Sequence, residues 1–335
     1  MTRVAILGAT GYSALEAIKL LLRHPQAEIT AVTSRQEGNP PISQSHPSLV
    51  KRLELPLEDL APEEIVKRAD CVFSCLPHGV TSLLVPQLLA GGARVVDFSA
   101  DYRLRDPAVF AKWYGEPHND PGRLADAVYG LPELFRESIK KAKLIANPGC
   151  YPTSAILALA PLLKAGVIET GDILIDSKSG ISGAGRTLKL GSLFAECNES
   201  VAAYNVGKHR HTPEIEQILS TASGQPIEVI FTPHLIPMDR GILTTAYSRP
   251  KSGVTEKQLL DTLREFYAKE PFVRVVEHLP STKETTDTNY CDVTVRLVRG
   301  RVITISVIDN LIKGAAGAAV QNFNLMYGYP ETTAL

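Results

Sequence analysis

VAILGATGYSALEAIKLLLRH, residues 4–24, is the stretch that decides how the chain folds. VAIL is an apolar run short enough for a buried strand, and LEAIKLLLRH carries its apolar residues at helical spacing. Between them GATGYSALE, residues 8–16, sets Gly8, Gly11 and Ala14 at three-residue intervals. This is a variant of the dinucleotide-binding turn. Gly8 permits the tight turn, Gly11 lets the backbone approach a pyrophosphate, and the small Ala14 lets helix and strand pack closely. A glycine-rich turn alone is a weak signal, but its place after the first strand of an alternating pattern strengthens it. Gly8, Thr10, Gly11 and Tyr12 are therefore expected to contact a cofactor.

Up to residue 150, EITAVTS, CVFSCLP, RVVDFS and KLIAN are further strand candidates, with PEEIVKRA and TSLLVPQLLAGG as helices between them. Such alternation predicts a Rossmann-type, doubly wound parallel sheet. After Gly166 the strands DILIDSKSG, EVIFTPHLIPM, ILTTAYS, VRVVEH, DVTVRLV and RVITISVID follow with few helices, as in a mostly antiparallel sheet. Helices are expected at PEIEQILSTA, starting at Pro213, and at EKQLLDTLREFYA. LIKGAAGAAVQNFNLMYG returns to helical spacing, with small residues that allow close packing. The expectation is an α/β chain of two domains. A nucleotide-binding domain spans 1–150 and is completed by the helix at about 311–328, and a second α+β domain spans 151–310.

The chain has 335 residues, 44% hydrophobic and 21% charged, with a formal net charge of -1, so nothing points to nucleic acid or an anionic membrane surface. No apolar stretch approaches the length of a membrane span, and MTRVAILGATG enters a strand at once, which reads as a cytoplasmic protein without a signal peptide. The five cysteines, at 71, 75, 150, 197 and 291, form no disulfide framework and lack metal-ligand spacing; Cys71 and Cys75 read as core, and no metal is expected.

The end of the second strand selects the dinucleotide. NAD-binding chains usually place an acid there for the ribose 2′-hydroxyl. This chain has VTSRQ, and Glu28 lies too far back along the strand. Hydroxyls with a guanidinium, Thr33 and Ser34 with Arg35, match a 2′-phosphate, so NADP is the expected cofactor.

NPGCYPT, residues 147–153, lies between a strand-like run and the helical SAILALAPLLKAG. Pro152 suits a first helical turn, which puts Cys150 at or just before a helix N-terminus. Free N–H groups and the helix dipole there favour a thiolate. A thiol in this place is either reactive or an inert core cysteine.

Together these stretches resemble the N-acetyl-gamma-glutamyl-phosphate reductases, within the wider semialdehyde dehydrogenases. The resemblance is carried by GATGYSALE, LPHG (76–79), DFSADYRL (97–104), YGLPE (129–133) and NPGCYPT. It continues in SGISGAGR (179–186), KHRHTPEI (208–215), FTPHLIPMDRGI (231–242) and DNLIKGAAGAAVQN (309–322), in order along nearly the whole chain. Ala14 departs from the glycine more usual in the family's turn. The resemblance implies NADPH-dependent reduction of an acyl phosphate to a semialdehyde, in arginine biosynthesis. It implies a small-molecule substrate, a thioester on Cys150, and a homodimer or homotetramer built through the second, catalytic domain.

Residue by residue, the resemblance makes His209 the catalytic base, with Glu214 orienting it, and leaves His211 to hold the substrate; either histidine could take the substrate carboxylate. The basic cluster KHRH would also attract an anionic substrate. In SGISGAGR, Ser179, Gly180 and Gly183 are expected at the cofactor and Ser182 and Arg186 at the substrate, the backbone N–H groups forming an anion nest. An ordinary flexible loop would have the same composition. Leu76 in LPHG and Asn310 are expected near the nicotinamide nucleotide, whereas His78 is expected near it without a catalytic role. Asp101 and Arg103 follow a parallel strand, where ligands collect. Three alternatives are an aspartate-semialdehyde dehydrogenase, a reductase of a carrier-linked aminoadipyl phosphate, and a non-catalytic NADP-sensing regulator. The last leaves Cys150 and KHRH without a purpose.

Overall fold

The computed structural model describes residues 1–335, which divide into two compact units: Met1–Pro148 with Ala315–Leu335, and Gly149–Gly314. The first carries strands β1 (Thr2–Leu7), β2 (Ala27–Thr33), β3 (Leu57–Glu58), β4 (Cys71–Ser74), β5 (Arg94–Asp97), β6 (Val128–Tyr129) and β7 (Leu144–Ala146). They form one sheet in the order β3-β2-β1-β4-β5-β7-β6, and every pair is parallel. Helices α1 (Tyr12–Leu21), α2 (Ile42–Ser45), α3 (Pro62–Arg68), α4 (Thr81–Ala90), α5 (Pro107–Tyr114) and α6 (Pro132–Ile139) intervene. Strand order reverses between β1 and β4, the place where doubly wound sheets bind ligands beyond their carboxyl ends.

The parallel strands are largely buried on both faces, which is why VAIL in β1 and CVF in β4 read as apolar runs. One apolar cluster gathers Val4, Ile6, Ile18 and Phe73 with Phe323 and Val320 from the C-terminal helix, and the other gathers Ala5, Leu7, Val72 and Val95. Cys71 lies in the first cluster and Cys75 packs against it, as the sequence implied.

The second unit contains α7 (Cys150–Lys164), β8 (Ile173–Gly180), α8 (Phe194–Cys197), β9 (Ala202–Ala203), α9 (Thr212–Ser223), β10 (Val229–Ile236), β11 (Ile242–Ser248), α10 (Glu256–Tyr267), β12 (Val273–Val275), β13 (Cys291–Val298) and β14 (Arg301–Ile308). Its sheet runs β12-β13-β14-β11-β8-β10-β9. β12–β13 and β8–β10 are parallel and the other four pairs antiparallel, so the sheet is mixed. β8 and β10 are parallel because α9 carries the chain back between them.

Tyr151 through Leu163 of α7 are all buried, the pattern of a helix enclosed on every side. It packs on β11 and β14 and against α9 and α10. Ser154 on α7 donates to Thr244 Oγ1 at 2.6 Å and lies 2.9 Å from Ser306 Oγ, while Ser177 Oγ is 2.7 Å from Thr244 Oγ1. These four fully buried hydroxyls tie the helix to β8, β11 and β14, each supplying the partner another needs. After β14 a short π-helical turn, Ile312–Ala316, leads into α11 (Gly317–Tyr327), whose last ten residues before Tyr327 are buried in the first unit. No helix is long and apolar enough to cross a membrane.

Candidate functional site

In the first unit the turn after β1 is built as its glycines suggested. Gly8 has φ +68, and a Cβ there would sit 2.7 Å from the Cys75 carbonyl oxygen, so only glycine fits. A Cβ on Gly11 would meet nothing nearer than Gly8 O at 3.8 Å. No protein atom demands a glycine at that position; a group approaching from outside would. Gly11 is the N-cap of α1, no side chain caps that end, and its first turn contains no acid. The first N–H groups of α1 are thus offered to an anion. Tyr12 opens the helix and Thr10 precedes the cap. The Ala9 carbonyl accepts from His46 Nε2–H at 2.9 Å, a brace the sequence did not reveal. Ser34 and Arg35 follow β2; Ser34 is half-buried and Arg35 exposed. Leu76 follows β4, and its Cδ2 lies 3.3 Å from the Cβ position at Gly8, beside the nucleotide turn.

Asp101 and Arg103 follow β5. Asp101 is fully buried, and its carboxylate accepts the Gly79 N–H at 2.7 Å and the Ser82 N–H at 2.9 Å. Arg103, also buried, donates to the Asn147 carbonyl at 2.9 Å and to the Phe98 carbonyl at 2.8 Å. Both charged groups hydrogen-bond to backbone.

In the second unit Cys150 is the first residue of α7, partly exposed, with Gly149 as an N-cap that lacks a side-chain cap. The thiol therefore meets the positive end of a fifteen-residue helix. Gly314 presses on it from below: a Cβ there would be 2.8 Å from Cys150 Cβ. Glu214 is buried, and its Oε1 accepts the Gly149 N–H at 2.8 Å, so it holds the turn that carries the cysteine.

His209 is buried in an aromatic box. Its ring meets Tyr151 at 5.6 Å, Tyr204 at 5.4 Å, Phe231 at 5.2 Å and His211 at 4.8 Å, all edge-on. Burial, and secondarily the Arg210 charge, lower its pKa to about 4. Its Nδ1 accepts the His211 backbone N–H at 3.1 Å, which leaves the ring proton on Nε2. With Nδ1 accepting, His209 presents its Nε2–H as a donor. Tyr204 donates to Tyr151 Oη at 3.2 Å, and Tyr151 donates to the His234 carbonyl at 3.0 Å. Burial raises the pKa of both phenols, and the nearby Cys150 adds to it. Tyr151 stood beside the cysteine in NPGCYPT, and nothing in the sequence pattern gave it a task. His211 is the N-cap of α9, which begins at Thr212, one residue before Pro213.

The segment SGISGAGR is more tightly built than a nest. The N–H groups of Gly180, Ile181 and Ser182 donate to Gly241, Met238 and Asp239 carbonyls at 2.9, 2.9 and 3.2 Å. A Cβ on Gly180 would lie 2.4 Å from Asp239 O, so its glycine serves chain packing. Three of the N–H groups expected to bind an anion are thus already taken. Ser182 Oγ donates to Asp239 O and accepts from Asn310 Nδ2, while Asn310 Oδ1 accepts the Gly241 N–H. Ser179 is buried and its hydroxyl donates to Gly180 O at 3.0 Å; Gly183 and Arg186 are exposed. No group of histidine, cysteine and acid is arranged to hold a metal ion.

Comparison with known proteins agrees with both halves. The family described as semialdehyde dehydrogenase, NAD binding domain, matches residues 3–142, and semialdehyde dehydrogenase, dimerisation domain, matches 150–310. Among solved structures, aspartate semialdehyde dehydrogenase II of Vibrio cholerae, complexed with ASA, aligns with a TM-score of 0.74 at 16% identity, covering 98% of each chain. Aspartate semialdehyde dehydrogenase with NADP from Candida albicans aligns at 0.73 and 17%, again over 98% of each. At these identities the likeness is one of fold. The N-acetyl-gamma-glutamyl-phosphate reductase of Rhodopirellula baltica is 52% identical over 338 residues, 99% of this chain and 98% of its own. That of Symbiobacterium thermophilum is 51% identical over 338 residues, 99% of this chain and 97% of its own. Similarity of this depth over the full length, with the nucleotide turn and the helix-borne cysteine both in place, shows that the chain belongs to the N-acetyl-gamma-glutamyl-phosphate reductase family.

Proposed function

We propose that this chain reduces N-acetyl-gamma-glutamyl phosphate to the semialdehyde, releasing phosphate, with NADPH as the reductant and Cys150 as the nucleophile. The observation that carries this reading is a partly exposed cysteine at an uncapped helix N-terminus in a chain half identical to enzymes of that name. The Cys150 thiolate attacks the acyl carbon; the carbon–oxygen bond to phosphate breaks, and a thioester to Cys150 remains. The bound dinucleotide supplies the hydride that reduces this thioester. His209, donating through Nε2–H, stabilises negative charge on the former carbonyl oxygen in both steps. Loss of the thiolate from the tetrahedral carbon then frees the aldehyde and restores Cys150. Glu214 keeps the Gly149 turn in place, Arg186 offers positive charge to the substrate's anionic groups, and His211 offers a polar ring beside them.

The nucleotide would lie on the Gly8–Tyr12 turn, with Ser34 and Arg35 on the 2′-phosphate. This accounts for the glycine at position 11 and for the exposed guanidinium after β2. The reaction belongs to the cytoplasm, where reduced nucleotide is at hand and thiols stay reduced. The chain is expected to self-associate through the face of the second sheet turned away from α7. There Leu174, Tyr247 and Ile303 line up across β8, β11 and β14 and are only partly covered.

The test is a coupled assay on purified protein: equal amounts of NADPH consumed and phosphate released with N-acetyl-gamma-glutamyl phosphate. Absence of turnover there would end the proposal. Arg35→Ala should weaken NADP binding roughly ten- to a hundredfold, as expected for a lost charge-assisted contact, and leave NAD binding almost unchanged. Equal weakening of both would make Arg35 structural.

A further inference from the structure

Around Asp101 the first unit contains a polar assembly that the chemistry above does not use. Its carboxylate takes the N–H groups of Gly79 and Ser82, and its own carbonyl accepts His118 Nε2–H at 2.7 Å. The tautomer of His118 is fixed, because its Nδ1 accepts the Asp120 N–H at 2.9 Å. Asn119 completes the grip from the other side: its Nδ2 donates to the Gly79 carbonyl at 2.9 Å and reaches Ser82 Oγ at 3.4 Å. Both peptide groups of Gly79 are thereby held, its N–H by Asp101 and its carbonyl by Asn119. Gly79 has φ +79, a left-handed conformation that favours glycine.

What is held is the connection from β4 to α4. β4 pairs with β1 at the reversal of strand order, and the Cys75 N–H donates to the Leu7 carbonyl at 2.9 Å. The Cys75 carbonyl and the Leu76 side chain lie against Gly8, at 2.7 and 3.3 Å from its Cβ position. One end of the 75–82 segment, the loop and the start of α4, thus packs on the nucleotide turn, and the other is held by Asp101 and Asn119. Without these ties the far end of the loop would sample more conformations, and only the fraction with the right shape could bind.

We propose that Asp101 and Asn119 are positioning residues for the nucleotide: they hold the 75–82 loop in the conformation that shapes the crevice beside Gly8. The inference rests on the nucleotide occupying the Gly8 turn. Asp101→Asn replaces one acceptor oxygen with a donor facing an N–H, and Asn119→Ala removes the donor to Gly79 from an exposed side chain whose loss leaves the core intact.

The test is direct titration of NADP(H) into each full-length protein without substrate, with amide hydrogen exchange at Gly79 and Ser82 and thermal unfolding measured alongside. The expected result is a dissociation constant raised about fivefold in Asn119→Ala, the scale of one net hydrogen bond, and roughly tenfold or more in Asp101→Asn. Exchange at the two amides should be faster, and the rate of Cys150 alkylation without nucleotide should match wild type. Should Asp101→Asn fail to fold, Asn119→Ala decides alone. Wild-type affinity in the variants, alongside normal binding by the parent, overturns this inference and leaves the proposed function standing. A parent protein that binds no nicotinamide nucleotide overturns both.

Discussion

Burial pushes the Cys71 thiol up to about 12, and burial with the Asp97 carboxylate raises Cys75 as well, so neither forms a thiolate at neutral pH. Cys150 differs in being partly exposed at the start of α7. Cys150→Ser should abolish reductase turnover while NADP affinity stays close to wild type, because an unactivated hydroxyl cannot form the acyl intermediate at a comparable rate. A serine variant retaining more than a few per cent of activity would remove the covalent route. For His209 the sign follows from its box: burial disfavours the charged ring, so the pKa falls from 6.5 to about 4 and the ring stays neutral through the physiological range. Protonation at Nδ1 would also break the bond from the His211 N–H. The His209-dependent limb of kcat/KM is therefore expected near pH 4, with His209→Asn lowering kcat about 10²–10³-fold, the range for a lost oxyanion donor. A limb near 6.5 that disappears in the variant would return His209 to the role of an ordinary titrating base.

Among the elements, α7 depends most on its surroundings. It is buried along almost its whole length, yet it carries a serine that must hydrogen-bond inside the protein. Thr244→Val keeps the shape of the side chain but deprives Ser154 and Ser177 of a shared hydroxyl partner. The expected cost is about 1–3 kcal/mol in urea-measured stability, the penalty for buried polar groups left short of a partner. A variant as stable as wild type would show that the remaining hydroxyls reorganise at no cost. The helix itself was legible, since an apolar run of that length between a glycine and a lysine admits little else. The hydroxyl network was not: its four members lie on four elements, and only the packing of α7 across β8, β11 and β14 brings them together.

At the scale of the whole chain, the proposed self-association would use the open face of the second sheet. Tyr247 is 38% exposed, with Ile303 and Leu174 as its cross-strand neighbours, an apolar row that a second copy of the chain would cover. Tyr247→Glu should shift the protein toward monomer in light scattering, while a parent already monomeric at micromolar concentration would contradict the assignment. Sequence by itself determined the alternation of strands and helices, the glycine turn and the cysteine at a helix start, because all three are local: they depend on periodicity and on residues adjacent in the chain. It also placed Ser34 and Arg35 just past a strand end, since strand ends are local as well. Tertiary structure alone decided the tasks of the polar residues. Asp101 and Arg103 grip backbone from 22 and 44 positions away, Glu214 reaches Gly149 across 65, and Asn310 braces Gly241 across 69. A buried charge takes whichever partner the fold delivers to it, and that partner is fixed by the packing of distant segments, which no local pattern records.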